Sequence, residues 1–249
     1  LTTGVYGLSS VLVPPVANVM IRNWGVSAAF QIIAVCFAVV LLLASAFVEQ
    51  GPEEAGQMLP GGGRDMGWRE MLCQKKFYGM CAMLLCGGLS GMMVISSSPA
   101  AAALMVSVLS LFNAGGRASA GILSDKLGRI GTLSLVFPIS VAALCALFFF
   151  GQDSMAVFAV SIALVGACFG ALMGIFPGFT ADEFGQRNNT VNYGILFFGF
   201  ALSGMLGPQV ASWVMSGTGS YRSAFLIAAV VALAGFALTF LHRRLAARS

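Results

Sequence analysis

Apolar positions along this chain come in stretches of about 20 residues, broken by short polar turns, with no alternation at a period of two. Stretches of that length fit helices crossing a hydrocarbon core of about 30 Å, and the lack of alternation excludes an outer-membrane barrel. Eight spans are predicted, over about residues 1–21, 26–48, 77–98, 101–123, 131–150, 155–179, 189–215 and 222–241. The one long polar segment, Glu49 to Lys76, holds Gly51-Pro52, Pro60-Gly61-Gly62-Gly63 and five acidic residues. It predicts a flexible linker between helix groups, with two spans before it and six after it.

Composition and charge sharpen this picture. At 58% hydrophobic and 9% charged residues, with a mean hydropathy of +0.91, the chain lies far from soluble domains, of which roughly a quarter of the residues are charged. An integral membrane protein is expected. Lys and Arg set its orientation. Arg64, Arg69, Lys75, Lys76, Lys126, Arg129, Arg187, Arg243, Arg244 and Arg248 fall on one side, and only Arg22 and Arg222 on the other. Both chain ends and the linker are therefore expected in the cytoplasm. The net charge of +4 follows from this bias and does not imply nucleic-acid binding. Residue 1 is Leu and no charged region precedes the first apolar run, so the start reads neither as a signal peptide nor as a natural beginning.

Candidate chemistry is sparse. Six cysteines, Cys36, Cys73, Cys81, Cys86, Cys145 and Cys168, show no CxxC spacing. All but Cys73 lie in apolar runs and read as core residues. His242, beside Arg243-Arg244 at the last helix end, reads as a surface residue. There is no Gly-rich phosphate loop, Ser/His/Asp set or HExxH, so no enzyme activity, metal or cofactor is expected.

One charge cannot be placed at a surface. Arg117 lies inside the fourth span, in Leu111-Phe112-Asn113-Ala114-Gly115-Gly116-Arg117. A charge in lipid costs roughly 2.5–3.5 kcal/mol even on lenient insertion scales, so an intramembrane arginine is a functional-site hypothesis by default. Arg117 is eight residues before Asp125, about 12 Å of helix at 1.5 Å per residue. Helical side chains lean toward their own N-terminus, which here points Arg117 toward the midplane and disfavours snorkelling. Asn113 sits one turn earlier on the same face and is placed to hold the guanidinium or a substrate hydroxyl. The alternative is a structural arginine bonded to carbonyls or to a carboxylate elsewhere in the protein.

An internal repeat relates the first two spans to the last two. Ala29-Phe30-Gln31-Ile32-Ile33-Ala34 matches Ala224-Phe225-Leu226-Ile227-Ala228-Ala229 at four positions, with an offset of 195. Pro14-Pro15 and Pro208 fall near the same offset. The first two spans then correspond to the end of a six-helix unit whose second copy is complete. The start of the first copy is expected roughly 120 residues before Leu1. Residues 1–48, the linker 49–76 and residues 77–249 are the expected divisions.

Two six-helix halves joined by a cytoplasmic loop resemble the major facilitator superfamily, whose parallel repeats face each other across a central substrate site. Gly121-Ile122-Leu123-Ser124-Asp125-Lys126-Leu127-Gly128-Arg129 resembles its cytoplasmic-loop signature, Gly-x-x-x-Asp-x-x-Gly-Arg. The resemblance implies an all-α transporter bundle in which Gly121, Asp125, Gly128 and Arg129 form part of an inner gate. Gly128 permits a tight turn after the helix, and Asp125 and Arg129 can pair in one conformation and part in another. The plain alternative is an ordinary positive-inside turn.

Within that superfamily the chain resembles the oxalate/formate antiporter family, which includes lactate and pyruvate carriers. The resemblance rests on Phe112 to Arg117, Ser124 to Arg129, Phe176-Pro177, Glu183-Phe184-Gly185, and Asn192-Tyr193-Gly194 through Gly207-Pro208. It implies that Arg117 is the substrate-carboxylate ligand. The lysine that acts beside it in the oxalate carrier maps onto Phe200. One arginine suits one carboxylate, with Phe197 and Phe200 as an apolar wall and Tyr193 nearby, so a monocarboxylate such as lactate or pyruvate is expected over oxalate. Related monocarboxylate transporters place a proton-carrying aspartate one turn before the arginine. Asn113 cannot ionise, and no Asp or Glu lies inside a predicted span.

The alternatives left open are an oxalate/formate-type dicarboxylate exchanger and a non-transporting sensor or inactive fragment of the same fold. The expected partners are a small organic anion, the lipid bilayer and the remaining helices of the same protein. Gly166, Gly170 and Gly174, and likewise Gly199, Ser203 and Gly207, form small-residue stripes for close helix packing. Gly204, Gly207 and Pro208 resemble a helix hinge, and interfacial anchoring is the alternative role for Asn192 and Tyr193. Between Ser96 and Ala103 only a short turn containing Pro99 is available for an external connection.

Overall fold

The computed structural model describes residues 2–46, 65–96, 102–151 and 153–246, with side chains from residue 16 to 244 except 102–107. The turn at Pro99 and linker residues 47–64 lie outside the described residues. Helices dominate: α1 (Thr2–Ser45), α2 (Trp68–Leu72), α3 (Lys75–Ser96), α4 (Ala102–Leu127), α5 (Arg129–Phe150), α6 (Met155–Phe184), α7 (Asn189–Leu196), α8 (Phe198–Thr218) and α9 (Arg222–Ala246). Helix α1 is two helices joined at Gly25, whose φ of 81° breaks the helical path. The break at Gly25 falls between the first two predicted spans, 1–21 and 26–48, and the second helix is described to Ser45. Helices α7 and α8 form one 30-residue apolar segment interrupted only at Phe197.

Six segments among the described residues are long and apolar enough to cross a membrane: Val16–Ser45, Lys75–Ser96, Arg129–Phe150, Met155–Phe184, Asn189–Thr218 and Arg222–Arg244. Helix α4 is 26 residues long, but Asn113, Arg117 and its many small residues dilute its hydropathy. It is the least apolar of the long helices.

Helices α3, α6, α5 and α9 pack in a closed ring, with α8 against α3, α4 against α6, and α1 against α4. Glycine decides how closely they approach. Without lipid-versus-protein hydrophobicity to drive association, helices gain from backbone proximity at small residues. The stripe Gly166, Gly170 and Gly174 on α6 lies on the α4 backbone at Leu109, Asn113 and Arg117 in turn. A Cβ at Gly166 or Gly174 would come to 2.7 and 2.6 Å of the carbonyl oxygens of Leu109 and Arg117, and one at Gly170 would overlap that of Asn113. In return, a Cβ at Gly116 of α4 would overlap the Ala167 carbonyl. The second stripe meets α3: Gly199 lies on Cys81, Ser203 on Gly88 and Gly207 on Met92.

Several sequence expectations need correction. Span 155–179 is longer than expected: Pro177 sits inside α6, which runs to Phe184 and stops at Gly185, φ 91°. A positive φ is the conformation glycine supplies most readily. Asp182 and Glu183 therefore lie on the last turn of a long apolar helix. The linker's final residues are not flexible: Trp68–Leu72 is helical and Met71 is fully buried. Met66 N–H donates to the Phe184 carbonyl, and Asn188 and Asn192 both donate to the Met66 carbonyl. Of the cysteines read as core, Cys168 is buried and Cys81, Cys86 and Cys145 are half-buried, but Cys36 is exposed because α1 packs along one narrow side.

The α4–α6 contact makes a direct prediction. Gly170→Ala drives a methyl into the Asn113 carbonyl and is expected to cost about 1–3 kcal/mol, the usual range for overpacking. Gly115→Ala, with open space around its Cβ position, is the control and keeps stability or raises it by up to about 1 kcal/mol through helix propensity. Thermal unfolding of the two variants in detergent separates the outcomes.

Candidate functional site

Arg117 and Asn113 come together as their spacing requires. Arg117 Nε donates to Asn113 Oδ1 at 2.9 Å. Asn113 is 8% exposed, and Arg117 is half-buried on a stretch of α4 whose other residues, up to Ser124, are apolar or small. The bond spans one helical turn, and it fixes the plane of the guanidinium relative to α4. The glycine stripe of α6 lies directly behind both residues, so the site's position depends on backbone packing and not on a flexible side chain.

The three aromatic candidates form a second group on α7 and α8. Rings of Tyr193 and Phe197 stand 5.6 Å apart, and those of Phe197 and Phe200 4.8 Å apart. Phe200 continues the row to Phe169 of α6 at 5.8 Å. It also lies against Gly88 of α3, where a Cβ would come to 3.2 Å of its ring. Phe200 thus fills the junction of α3, α6 and α8. A cavity of about 300 Å³ lies at the opposite end of the bundle, among Leu147, Phe158, Met215, Tyr221 and Arg222, and none of the candidate residues lines it.

The turn after α4 has the geometry its spacing predicts. Gly128 takes φ 76° between α4 and α5, so Arg129 folds back over the end of α4. Arg129 Nη1 donates to Asp125 Oδ1 at 2.8 Å and to Ser124 Oγ, and its Nε donates to Asp182 Oδ2 of α6 at 2.8 Å. Gly178, one turn before Asp182, makes room: a Cβ there would lie 3.0 Å from the Arg129 guanidinium carbon. Gly121 has open space around it, and its carbonyl accepts from Ser124 Oγ. In the hinge segment, Gly204 also faces open space, Gly207 lies on Met92, and α8 passes through Pro208 without interruption.

Sequence reasoning missed the partners on α6. Asp182 and Glu183 were outside the expected span, although Gly185 marks the stop and a longer reading of the helix would have reached them. His242 is not a surface residue: it is 1% exposed, with its ring edge against Phe179. Helix α9 continues one turn past it, so His242 faces inward while Arg243 and Arg244 stay exposed. No group of His, Cys, Asp or Glu suited to holding a metal occurs among the described residues.

The described residues thus form an all-α bundle of membrane-length helices, with a polar pair inside one helix and a Gly-x-x-x-Asp-x-x-Gly-Arg turn at its end, the arrangement of a polytopic membrane protein. Comparison with known sequences agrees: the Major Facilitator Superfamily profile matches residues 1–208 and 95–249, and the chain belongs to that superfamily. It is 27% identical over 257 residues to the Oxalate:formate antiporter of Oxalobacter formigenes, covering 98% of this chain and 61% of that protein. It is 27% identical over 211 residues to the Uncharacterized MFS-type transporter YhjX of Escherichia coli K12, covering 80% and 52%. Similarity to Monocarboxylate transporter 12 of Xenopus laevis is 27% over 141 residues, 56% of this chain and 29% of that protein. The chain thus spans between half and two thirds of the length of the first two relatives.

The Arg129–Asp182 bridge ties α5 to α6 at a partly exposed position, with side chains 23% and 47% exposed. Screening limits such a pair to about 0.2–1 kcal/mol. A double-mutant cycle of Arg129→Gln and Asp182→Asn, read by thermal unfolding, is expected to return a coupling in that range. A coupling of zero would show that the bridge carries no stability in this conformation.

Proposed function

We propose that this protein carries small organic anions across the membrane by alternating access, with a monocarboxylate such as lactate or pyruvate as substrate. The observation that supports this best is the Arg117–Asn113 pair, held inside a membrane helix by the α6 glycines. A planar guanidinium recognises a carboxylate bidentately, and Asn113 orients that plane. The aromatic row Tyr193–Phe197–Phe200 supplies apolar surface for the substrate's tail. Phe200 brings no second cation, which favours one carboxylate over two. The names of the relatives fit this class of substrate.

We read the rest of the carrier on the same basis. Residues 1–48 act as the end of the first helical half, the linker 49–76 joins the halves, and residues 77–249 form the second half. The substrate path lies between them. The end of the bundle that collects Lys76, Arg129, Arg187, Arg243 and Arg244 faces the cytoplasm of a bacterial cell, in accord with the positive-inside rule. There the Asp125–Arg129 turn and its Asp182 partner serve as part of the inner gate, while Gly204, Gly207 and Pro208 let α8 flex as the halves rock. The protein performs no chemical conversion of its substrate.

The test is uptake of labelled lactate by cells that lack their own lactate and pyruvate carriers and express the protein in its full native length. Lactate is expected to enter, pyruvate to compete and oxalate to fail. Arg117→Ala is expected to reduce uptake by about a hundredfold or more, the order set by losing a buried charge-assisted contact. Asn113→Asp, which gives Arg117 an internal carboxylate, is expected to impair uptake as well. If oxalate competes best, a dicarboxylate exchanger replaces the monocarboxylate reading; if no anion enters, the carrier reading fails.

A further inference from the structure

At the charged end of the bundle three helices meet on one carboxylate. Lys76 Nζ, at the start of α3, lies 3.2 Å from Glu183 Oε2. His242 Nε2, near the end of α9, lies 3.4 Å from Glu183 Oε1. The carboxylate can only accept, so the imidazole donates through Nε2–H and leaves Nδ1 as a bare acceptor. Nδ1 is buried and has no hydrogen-bond partner among the described residues. It faces Gly79 of α3, where even a Cβ would stop 3.7 Å away. A buried polar atom of this kind requires an explanation.

We propose that His242 and Glu183 form a proton-binding site, at which a proton from the adjoining aqueous phase adds to His242 Nδ1 and loosens the end of α9 from α3 and α6. The new N–H bond forms on the Nδ1 lone pair, and the other groups keep their protons. In the packed state that N–H points at Gly79 and finds no acceptor, and an unmet buried donor is costly. The new charge strengthens the Nε2–H bond to Glu183, but it also stands against Lys76 across the carboxylate that the two cations share.

The surrounding groups leave this imbalance in place. On α3, Lys75 is exposed and only Lys76 faces the site. On α6, Asp182 is turned to Arg129 of α5, which is itself held by Asp125. On α9, Arg243 and Arg244 are exposed, and the neighbouring Thr239 meets Ser134 of α5 through hydroxyls alone. Histidine is the side chain whose charge ordinarily changes between pH 5 and 8. Because Glu183 adjoins the Asp182 that holds Arg129, proton occupancy here bears on the candidate gate without using the Arg117 site.

The sequence contains one histidine, so ¹⁵N-histidine labelling of this chain reports His242 by itself. In purified protein at pH 8 the spectrum is expected to show the Nε2–H tautomer, changing to imidazolium as pH falls to 5. Amide hydrogen exchange at residues 236–244, corrected for its intrinsic pH dependence, is expected to rise about tenfold over the same range, the order set by one unmet buried donor. His242→Gln, which keeps a donor for Glu183, is expected to abolish the pH dependence of exchange. The proposal is overturned if the imidazole stays neutral to pH 5, if it protonates without faster exchange, or if His242→Gln retains the pH dependence. Neither labelled measurement needs transport, so failure here is separable from failure of the carrier reading, and the spectrum of the unmutated chain decides even if the variant does not fold.

Discussion

The arrangement depends on one contact, the laying of the α6 glycine stripe on the α4 backbone. In lipid, two apolar helices gain little from meeting unless their backbones come close, and three glycines at a spacing of four permit this over about two turns. The α4 residues they touch include Asn113 and Arg117. Packing and chemistry are therefore carried by the same two turns of helix. An arginine in a membrane protein must be held by something stronger than its own flexible stem, and here a side-chain amide one turn away and a rigid backbone behind it do so.

The same helix organises the opposite problem, the charged end. Once α6 is seen to run to Gly185, its last turn offers two adjacent carboxylates that point to different neighbours. Asp182 accepts from Arg129 and ties in α5, while Glu183 accepts from Lys76 and His242 and ties in α3 and α9. The next residues bind the incoming chain: Phe184 accepts from Met66, and Asp65 accepts from the Arg187 amide. Any displacement of the α6 end is consequently felt by every helix that reaches this face of the ring.

Much of this was legible in the sequence because it rests on periodicity. Spacings of four predicted both small-residue stripes and the Asn113–Arg117 pair, and the position of Gly128 predicted the tight turn. What escaped was long-range and local at once. The end of α6 was cut short because Asp182 and Glu183 look like loop residues when read by hydropathy, although their charges are neutralised by partners more than fifty residues away. His242 was misplaced for a related reason: its neighbours Arg243 and Arg244 carry a surface signal, but a helix turns by 100° per residue, and adjacent positions need not share a face. The docking of Met66 and Met71 could not be read from a Gly- and Pro-rich segment, whose composition describes its middle and not its end.

The two carboxylates of α6 also differ in what they can do. Asp182 is nearly half exposed and pairs with a cation that water reaches, so its bond can break and reform at little cost. Glu183 is mostly buried, and one of its partners is fully buried. Breaking that contact leaves polar groups without water, which is expensive in a low-dielectric setting. The gate role proposed for this turn would need a bond of the first kind, and a fixed support beside it one of the second. With both on one helical turn, α6 can release α5 while staying fastened to α3 and α9, unless the buried pair is itself disturbed.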